Sequence, residues 1–506
     1  MNKRYYLIVI LILTFIGNSC SKFEDINTNP DETTQVTPEL LATNLILSMM
    51  EYPSVGKDFL YKDMLSKYIS YMEGSTDYQY NKFGRTNYSS LVNLTNVDKM
   101  IEAASGSVYE GTYRALGHFI RAYTFFNLTL SVGDIPYSEA LKGEEGIYNP
   151  KYDTQKEVFV GILEELEEAS RLFAEGRNFD GDPVYSGDII NWQRAANALT
   201  LKVLTHLWKK TSDPDLNVAA QFDAIVKSNK IMQSGSDNLQ LVYSNIEVEF
   251  YPFYNSSFRK YPIMSTTIVD KMKELNDYRL FYFAEPSVAQ TNAGVPPSSW
   301  DAYVGVDPSD DFSAISVRYV AGEISGINPR YYSLQQGEPT FLLSYAEQSF
   351  IIAEGILRGW TNGKVEDYYL AGIREAFNFV ADNTPNESQY HHDMKITASV
   401  ITSYTNNPLV ALTGSLEEDL GKIFQQRYFL GFMQDGWNTY FEYRRNGHPL
   451  LPINEQTNLN SMSDRLPVRW LYPLDELSYN RENTEEAINI QFGGNDDVNE
   501  LMWILQ

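Results

Sequence analysis

The sequence predicts a mainly α-helical protein in which paired helices form a scaffold for a loop-rich part. Three observations lead there. Segment after segment places apolar residues three and four apart, the period of a one-sided helix. That period largely fails between Asn238 and Glu338, where seven prolines punctuate the chain. Apolar residues make up 43% of 506 while cysteine occurs once, so stability must come from a large packed core and not from disulfides.

The chain opens with Lys3 and Arg4, followed by a nearly unbroken apolar run from Tyr5 to Ile16. A helix needs about 20 residues to cross a bilayer, so this run fits the core of a secretory signal better than a membrane span. Gly17, Asn18 and Ser19 are small, and Cys20 follows them. The pattern resembles a bacterial lipoprotein start, with residues 1–19 removed and Cys20 lipidated. Gly17 stands where leucine is commonest. The alternative is ordinary cleavage near Ser19, which leaves an awkward free thiol in an exported protein. Asn27, Asn29, Pro30 and Asp31 favour turns, so residues 20–37 read as a flexible tether. Residues 38–506 form the body.

In the body, Pro38 to Met50 reads as a first helix and Phe59 to Met72 as a second. From Glu73 to Ser90 loop residues carry Tyr78, Tyr80, Phe83 and Tyr88, which suit either a binding rim or packing back on the body. Tyr109 to Leu130 is helical, with Tyr113, Leu116, Ile120, Tyr123 and Phe126 on one face. Gly133, Asp134, Ile135, Pro136 and Tyr137 end it. Thr154 and Glu157 form a capping-box pattern ahead of the stripe Val158, Ile162, Leu166, Ala169 and Phe173. Glu164, Glu165, Glu167 and Glu168 lie largely off that stripe, as on a solvated face. Asn191 to Lys210 is amphipathic, with Trp192, Ala195, Leu199, Val203 and Leu207 inward, and Val218 to Met232 follows. Such succession resembles stacked helical hairpins of the tetratricopeptide kind, without the strict 34-residue consensus.

The punctuated region holds a short helix near Thr267 to Leu275, and Trp300 and Tyr303 in a polar loop after Pro296 and Pro297. Helices return at Leu343 to Leu357 and Val365 to Val380. Ser415 and Glu418 make a second capping-box pattern before Leu416, Leu420, Ile423, Arg427 and Leu430. A helix through Trp437, Tyr440, Phe441 and Arg444 stops at Gly447-His448-Pro449, and the tail is loop-rich, with strand-like runs around Val468 to Tyr472. The scaffold thus covers 38–237 and 343–446, and the loop-rich regions 238–342 and 447–506. At about 150 residues per domain, length alone would allow three domains.

Net charge is −26, from 66 acidic and 40 basic residues. The body lacks the Lys and Arg clusters that neutralise a phosphate backbone, which argues against nucleic acid. The five histidines are scattered without zinc spacing, and no nucleophile elbow, phosphate loop or dinucleotide fingerprint occurs. Asp307, Asp310 and Asp311 have calcium-type oxygens, though an ordinary solvated loop explains them. No catalytic residue, metal ligand or cofactor is assigned. Two carboxylates suffice for a glycosidase, and sequence neither finds nor excludes such a pair. Tyrosine is abundant, at 36 residues, and suits either interhelical packing or surfaces that bind amphipathic ligands such as sugars.

Several stretches resemble the SusD/RagB family of outer-membrane nutrient-binding lipoproteins. They are Gly133-Asp134-Ile135-Pro136-Tyr137-Ser138-Glu139-Ala140-Leu141, then Ser344-Tyr345-Ala346-Glu347 with Ala353-Glu354. Gln426-Arg427-Tyr428 through Trp437 and Tyr443-Arg444-Arg445-Asn446-Gly447-His448-Pro449 follow, and Arg469 to Pro473 and Asn483 to Ile488 close the series. Glu24 and Asp25 also resemble the acidic signal that directs lipoproteins to the cell surface in the Bacteroidetes. The resemblance implies a SusD-like fold with four tetratricopeptide-like helix pairs. It implies a surface protein, anchored in the outer membrane through Cys20, that binds an oligosaccharide or other nutrient without catalysis. It also implies a lid-like partnership with a SusC-like TonB-dependent β-barrel transporter. Competing readings are a surface glycoside hydrolase and a helical protein-interaction scaffold. The family blocks read as structural: Asp134, Pro136, Tyr137 and Glu139 fix a turn, and Glu347 and Glu354 accept bonds from loops or from Arg444 and Arg445. Ligand residues do not transfer by motif. From the residues themselves, Trp300 is the first candidate for ligand contact, because an indole offers the largest flat face for a sugar. Tyr303, Tyr78 and Tyr80 come next.

Overall fold

The computed structural model describes residues 36–50, 57–74 and 77–506. The signal segment, Cys20, the acidic pair and the tether to residue 35 lie outside the described residues. Among the described residues, the helices of eight residues or more are α1 (Pro38–Met50), α2 (Ser89–Ala104), α3 (Glu110–Val132), α4 (Gln155–Glu175), α5 (Ile189–His206), α6 (Val218–Ser228), α7 (Thr266–Leu275), α8 (Phe312–Val320), α9 (Tyr345–Leu357), α10 (Val365–Asp382), α11 (Ala398–Thr405), α12 (Leu416–Leu430), α13 (Gly436–Asn446) and α14 (Arg481–Phe492). From α1 to α6 each helix packs on the next. The scaffold continues through α9, which packs on α5, α10 and α12.

Local chemistry explains the strongest elements. At the start of α4, Thr154 accepts from the Glu157 N–H while the Glu157 carboxylate accepts from the Thr154 N–H at 2.9 Å. Val158, Ile162, Leu166, Ala169 and Phe173 are then buried together; each of the larger ones contributes about 1.5–3 kcal/mol of transfer free energy. Trp192 of α5 stands edge-on to Phe119 at 5.4 Å and stacks on Phe173 at 6.0 Å. Its indole N–H donates to Asp182 at 2.8 Å, so the polar end is satisfied too.

The Gly133-Asp134-Ile135-Pro136-Tyr137 run is a structural joint. Gly133 has φ +98°, and a Cβ there would collide with Gln491. Asp134 accepts from the Gln155 N–H at 2.7 Å and so anchors the start of α4. Asp153 receives the N–H groups of Tyr137 and Ser138, and Glu139 receives that of Lys151.

Two short antiparallel pairs stitch the loop-rich part to the scaffold. β1 (Ile69–Tyr71) pairs with β3 (Pro262–Met264), and β2 (Leu239–Leu241) with β4 (Thr340–Leu343), which leads into α9. The end of the chain is fastened to its first half. Gln155 donates to the Thr129 carbonyl at 2.8 Å and accepts from the Ile504 N–H at 2.9 Å.

Several expectations are corrected. Phe59 to Met72 is not one helix: a turn at Asp58–Leu60 and a helix at Tyr61–Leu65 give way to β1. Lys67 has φ +60° and is buried, its ammonium donating to the Gln79 carbonyl and to Asn81. Ser415 makes no side-chain cap; Asp419 instead accepts from the N–H groups of Thr413 and Gly414. The strand-like run at Val468 to Tyr472 reduces to one bridge, Arg85 to Leu471. The region 238–342 contains α8 as well as α7, and the tail contains α14.

Between α5, α9, α12 and α13 lies a buried ionic cluster. Glu354, fully buried, accepts from Arg445 at 2.6 and 2.8 Å, from Arg358 at 2.8 Å and from Arg427 at 3.3 Å. Glu442 meets Arg445, Arg427 and His206, and Glu347 meets Lys202. Burial alone would raise the Glu354 and Glu442 carboxyls, but the surrounding guanidinium groups outweigh it and hold both below the usual range. Arg445 therefore meets the expectation for Glu354, whereas Arg444 turns to the carbonyls of Val468 and Leu130. A small cavity of about 30 Å³ beside this cluster has room for little more than a water molecule.

Candidate ligand-binding site

The Trp300 loop forms one side of an open cleft of about 770 Å³, within the usual size of small-molecule sites. Three segments build it. At the end of α7, Asn276 takes a left-handed conformation that stops the helix and presents Tyr278. Trp300 begins a short turn in which Ser299 accepts from the Asp301 N–H at 3.2 Å. Opposite stands α11, capped by Thr397. Asn407, just beyond α11, donates to the Leu275 carbonyl at 2.9 Å and ties the walls together.

Trp300 is half-buried. Its indole lies 4.5 Å from the Phe281 ring and 5.7 Å from the Tyr278 ring, nearly perpendicular to the latter at 76°. The two rings make an aromatic corner. Ser399, Ser403, Asn406 and Asn276 supply hydroxyls and amides around it. The wall behind is rigid: Tyr404 accepts from Gln426 at 2.7 Å, and Gln426 accepts from Arg279 at 3.0 Å. Arg279 is held by Asp277 in a fully buried pair. A second cleft, of about 880 Å³, opens beside Tyr254, Gln335 and Asn383. Its half-buried Tyr254 stands edge-on to Phe250, without an indole.

The other sequence candidates lie elsewhere. Tyr303 is fully buried, edge-on to Phe281 at 5.1 Å, and its hydroxyl donates to the Pro297 carbonyl. It holds the loop that displays Trp300. Tyr80 is 5% exposed and donates to the Asp310 carbonyl, so the 77–88 and 300–311 loops do meet, through that bond. Tyr78 packs among Tyr61, Phe83 and Trp437. For Tyr303 and Tyr80, burial leaves no open ring face, and the packing role weighed for the 73–90 segment is the one its geometry takes. Asp307 accepts from Ser309 and Asp311 caps α8. Among the described residues no group of three His, Cys, Asp or Glu side chains is placed to hold a metal ion, and no helix is long and apolar enough to cross a membrane.

Sequence reasoning missed Tyr278, Asn276, Ser403 and Asn406. The available signal was the run Thr402-Ser403-Tyr404-Thr405-Asn406-Asn407-Pro408, a polar helix end breaking into a turn.

Comparisons with known proteins agree with this architecture. A SusD-like family model, described as starch-binding and associating with the outer membrane, matches residues 30–473. A SusD homolog from Bacteroides fragilis is 47% identical in sequence, with a TM-score of 0.90 over 93% of this chain and 100% of its own. A second SusD homolog from that species is 35% identical, with a TM-score of 0.84 over the same shares. A chitin-binding SusD homolog from Flavobacterium johnsoniae is 20% identical, with a TM-score of 0.72 over 93% of this chain and 98% of its own. No curated protein matches the chain.

Proposed function

This chain belongs to the SusD-like family, and from that premise we propose that it captures a saccharide nutrient in the Trp300 cleft and delivers it to a SusC-like TonB-dependent transporter. The protein is held on the outer face of the outer membrane by lipid on Cys20. The observation that carries the binding reading is the Trp300–Tyr278 corner facing hydroxyl and amide side chains. Sugar rings present C–H faces to aromatic planes and hydroxyls to such polar groups. A binder is favoured over a hydrolase because the cleft lining holds no carboxylate among the described residues, whereas glycoside hydrolysis uses two flanking the scissile bond.

The test is Trp300→Ala. Losing a well-packed aromatic anchor costs about 2 kcal/mol or more of binding, roughly thirtyfold in affinity. Calorimetry with the best binder from a glycan array, chitohexaose and maltohexaose included, reads that loss. The variant also loses the Phe281 contact, so its melting temperature is measured alongside. Asn406→Ala, at an exposed position, provides a second variant expected to weaken binding without a stability change. Unchanged affinity in both variants would reject the cleft as the site.

A further inference from the structure

We propose that the saccharide taken by the Trp300 cleft is uncharged, an inference that rests on the reading of this cleft as the binding site. Its described lining is made of apolar, aromatic, hydroxyl and amide side chains, with no Lys, Arg, Asp or Glu among them. Of the four cations nearest the lining in the chain, Lys395 is exposed, four residues before Ser399 and outside the lining, and the other three are committed elsewhere. Lys271 pairs with Glu274 at 2.9 Å. Lys273 donates to the Tyr303 carbonyl at 3.1 Å. Arg279 is buried behind the wall and held by Asp277 at 2.5 Å. The charge that does lie beside Trp300 is acidic, Asp301, and it is exposed.

A uronate carboxylate or a sulfate brought against this wall would lose water without gaining a cationic partner. Proteins recognise such groups with guanidinium or ammonium donors, often two-pronged, and burying an anion unpaired is costly. The net charge of −26 adds long-range repulsion at low salt. The available polar groups suit hydroxyls instead. The side chains of Asn276, Ser403 and Asn406 line the cleft at exposed positions. Each can both donate and accept, as a sugar hydroxyl does.

The experiment is a glycan array of neutral oligosaccharides paired with their sulfated or uronic-acid counterparts, read with the purified protein. Titration calorimetry of the leading binder follows at low and at moderate salt, with the native chain, Trp300→Ala and Asn406→Ala. The expected leader is neutral, binds at least tenfold more tightly than its charged counterpart, and changes affinity less than twofold with salt. A charged glycan that leads the array and loses affinity in the two variants would overturn the neutral assignment while leaving the cleft in place. A neutral leader indifferent to both variants would overturn the cleft and this inference with it. An array with no neutral binder would overturn the inference as well.

Discussion

Glu354→Gln isolates the charge at the centre of the scaffold, because glutamine keeps the volume and can still accept a hydrogen bond. In the native chain three deeply buried carboxylates, Glu347, Glu354 and Glu442, face three deeply buried cations, Lys202, Arg427 and Arg445. Arg358 reaches Glu354 from the edge. The substitution leaves one buried positive charge in excess and removes the anion that Arg445 grips with both nitrogens. Breaking a buried ion pair from one side costs about 3–5 kcal/mol, and full burial of Glu354 places this case at the upper end. Unfolding entropy is about 2.1 cal/mol/K per residue, hence roughly 1 kcal/mol/K for a body of about 470 residues. The melting temperature should fall by about 3–5 °C, as read by scanning calorimetry at pH 7. Adding Arg358→Met removes the edge guanidinium that has lost its carboxylate, which lowers the excess positive charge and should recover part of that loss. A fall of under about 1 °C, or no recovery in the double variant, would refute the view that paired charge holds these helices together.

Three more outcomes follow from named features. Gly133→Ala puts a Cβ into Gln491 at φ +98°, and should cost about 1–3 kcal/mol in chemical denaturation. Acid should destabilise the protein in two stages. His206 is pushed down by burial against the opposing pull of Glu442, and Glu354 and Glu442 also lie below their ordinary values. For each, the unfolded chain takes the proton first, so stability is complete above the unfolded pKa and falls below it. The losses begin near pH 6.5 for the histidine and near 4.5 for the glutamates, and a melting temperature flat from pH 7 to 4 would contradict this. Cys20→Ala should abolish lipidation and release the protein from the outer-membrane fraction, since stable attachment takes two or more acyl chains; retention would sink the anchor proposal.

The sequence made the scaffold legible wherever local and tertiary demands agree. In α4 the Thr154–Glu157 cap and the apolar stripe say the same thing, and both form. They disagree at Lys67, whose left-handed backbone follows from an ammonium buried against the 78–81 loop. Nothing in the Phe59 to Met72 pattern announces that. The candidate site was half legible. Trp300 stood out because an indole in a polar loop lacks a local core partner. Asn276, Tyr278 and Asn406 did not, because α11 reaches Trp300 only through the fold, some hundred residues later in the chain. Tyr303 and Tyr80 misled because a tyrosine that pins a loop and one that offers a ring face look alike in one dimension.

The fastening of Gln155 to both Thr129 and Ile504 bears on how the molecule reaches its native state. Ile504 lies 349 residues beyond Gln155, so the start of α4 cannot complete its bonds until the last residues of the chain are available. Topologies rich in such distant closures fold slowly, since chain entropy is lost before the contact is gained. The first helix pairs should therefore collapse early yet stay open at one edge, exposing apolar surface until the tail docks. Pulse-labelled hydrogen exchange during refolding should find the centre of α4 protected before its first turn, and a chain lacking residues 500–506 should stall in that half-closed state.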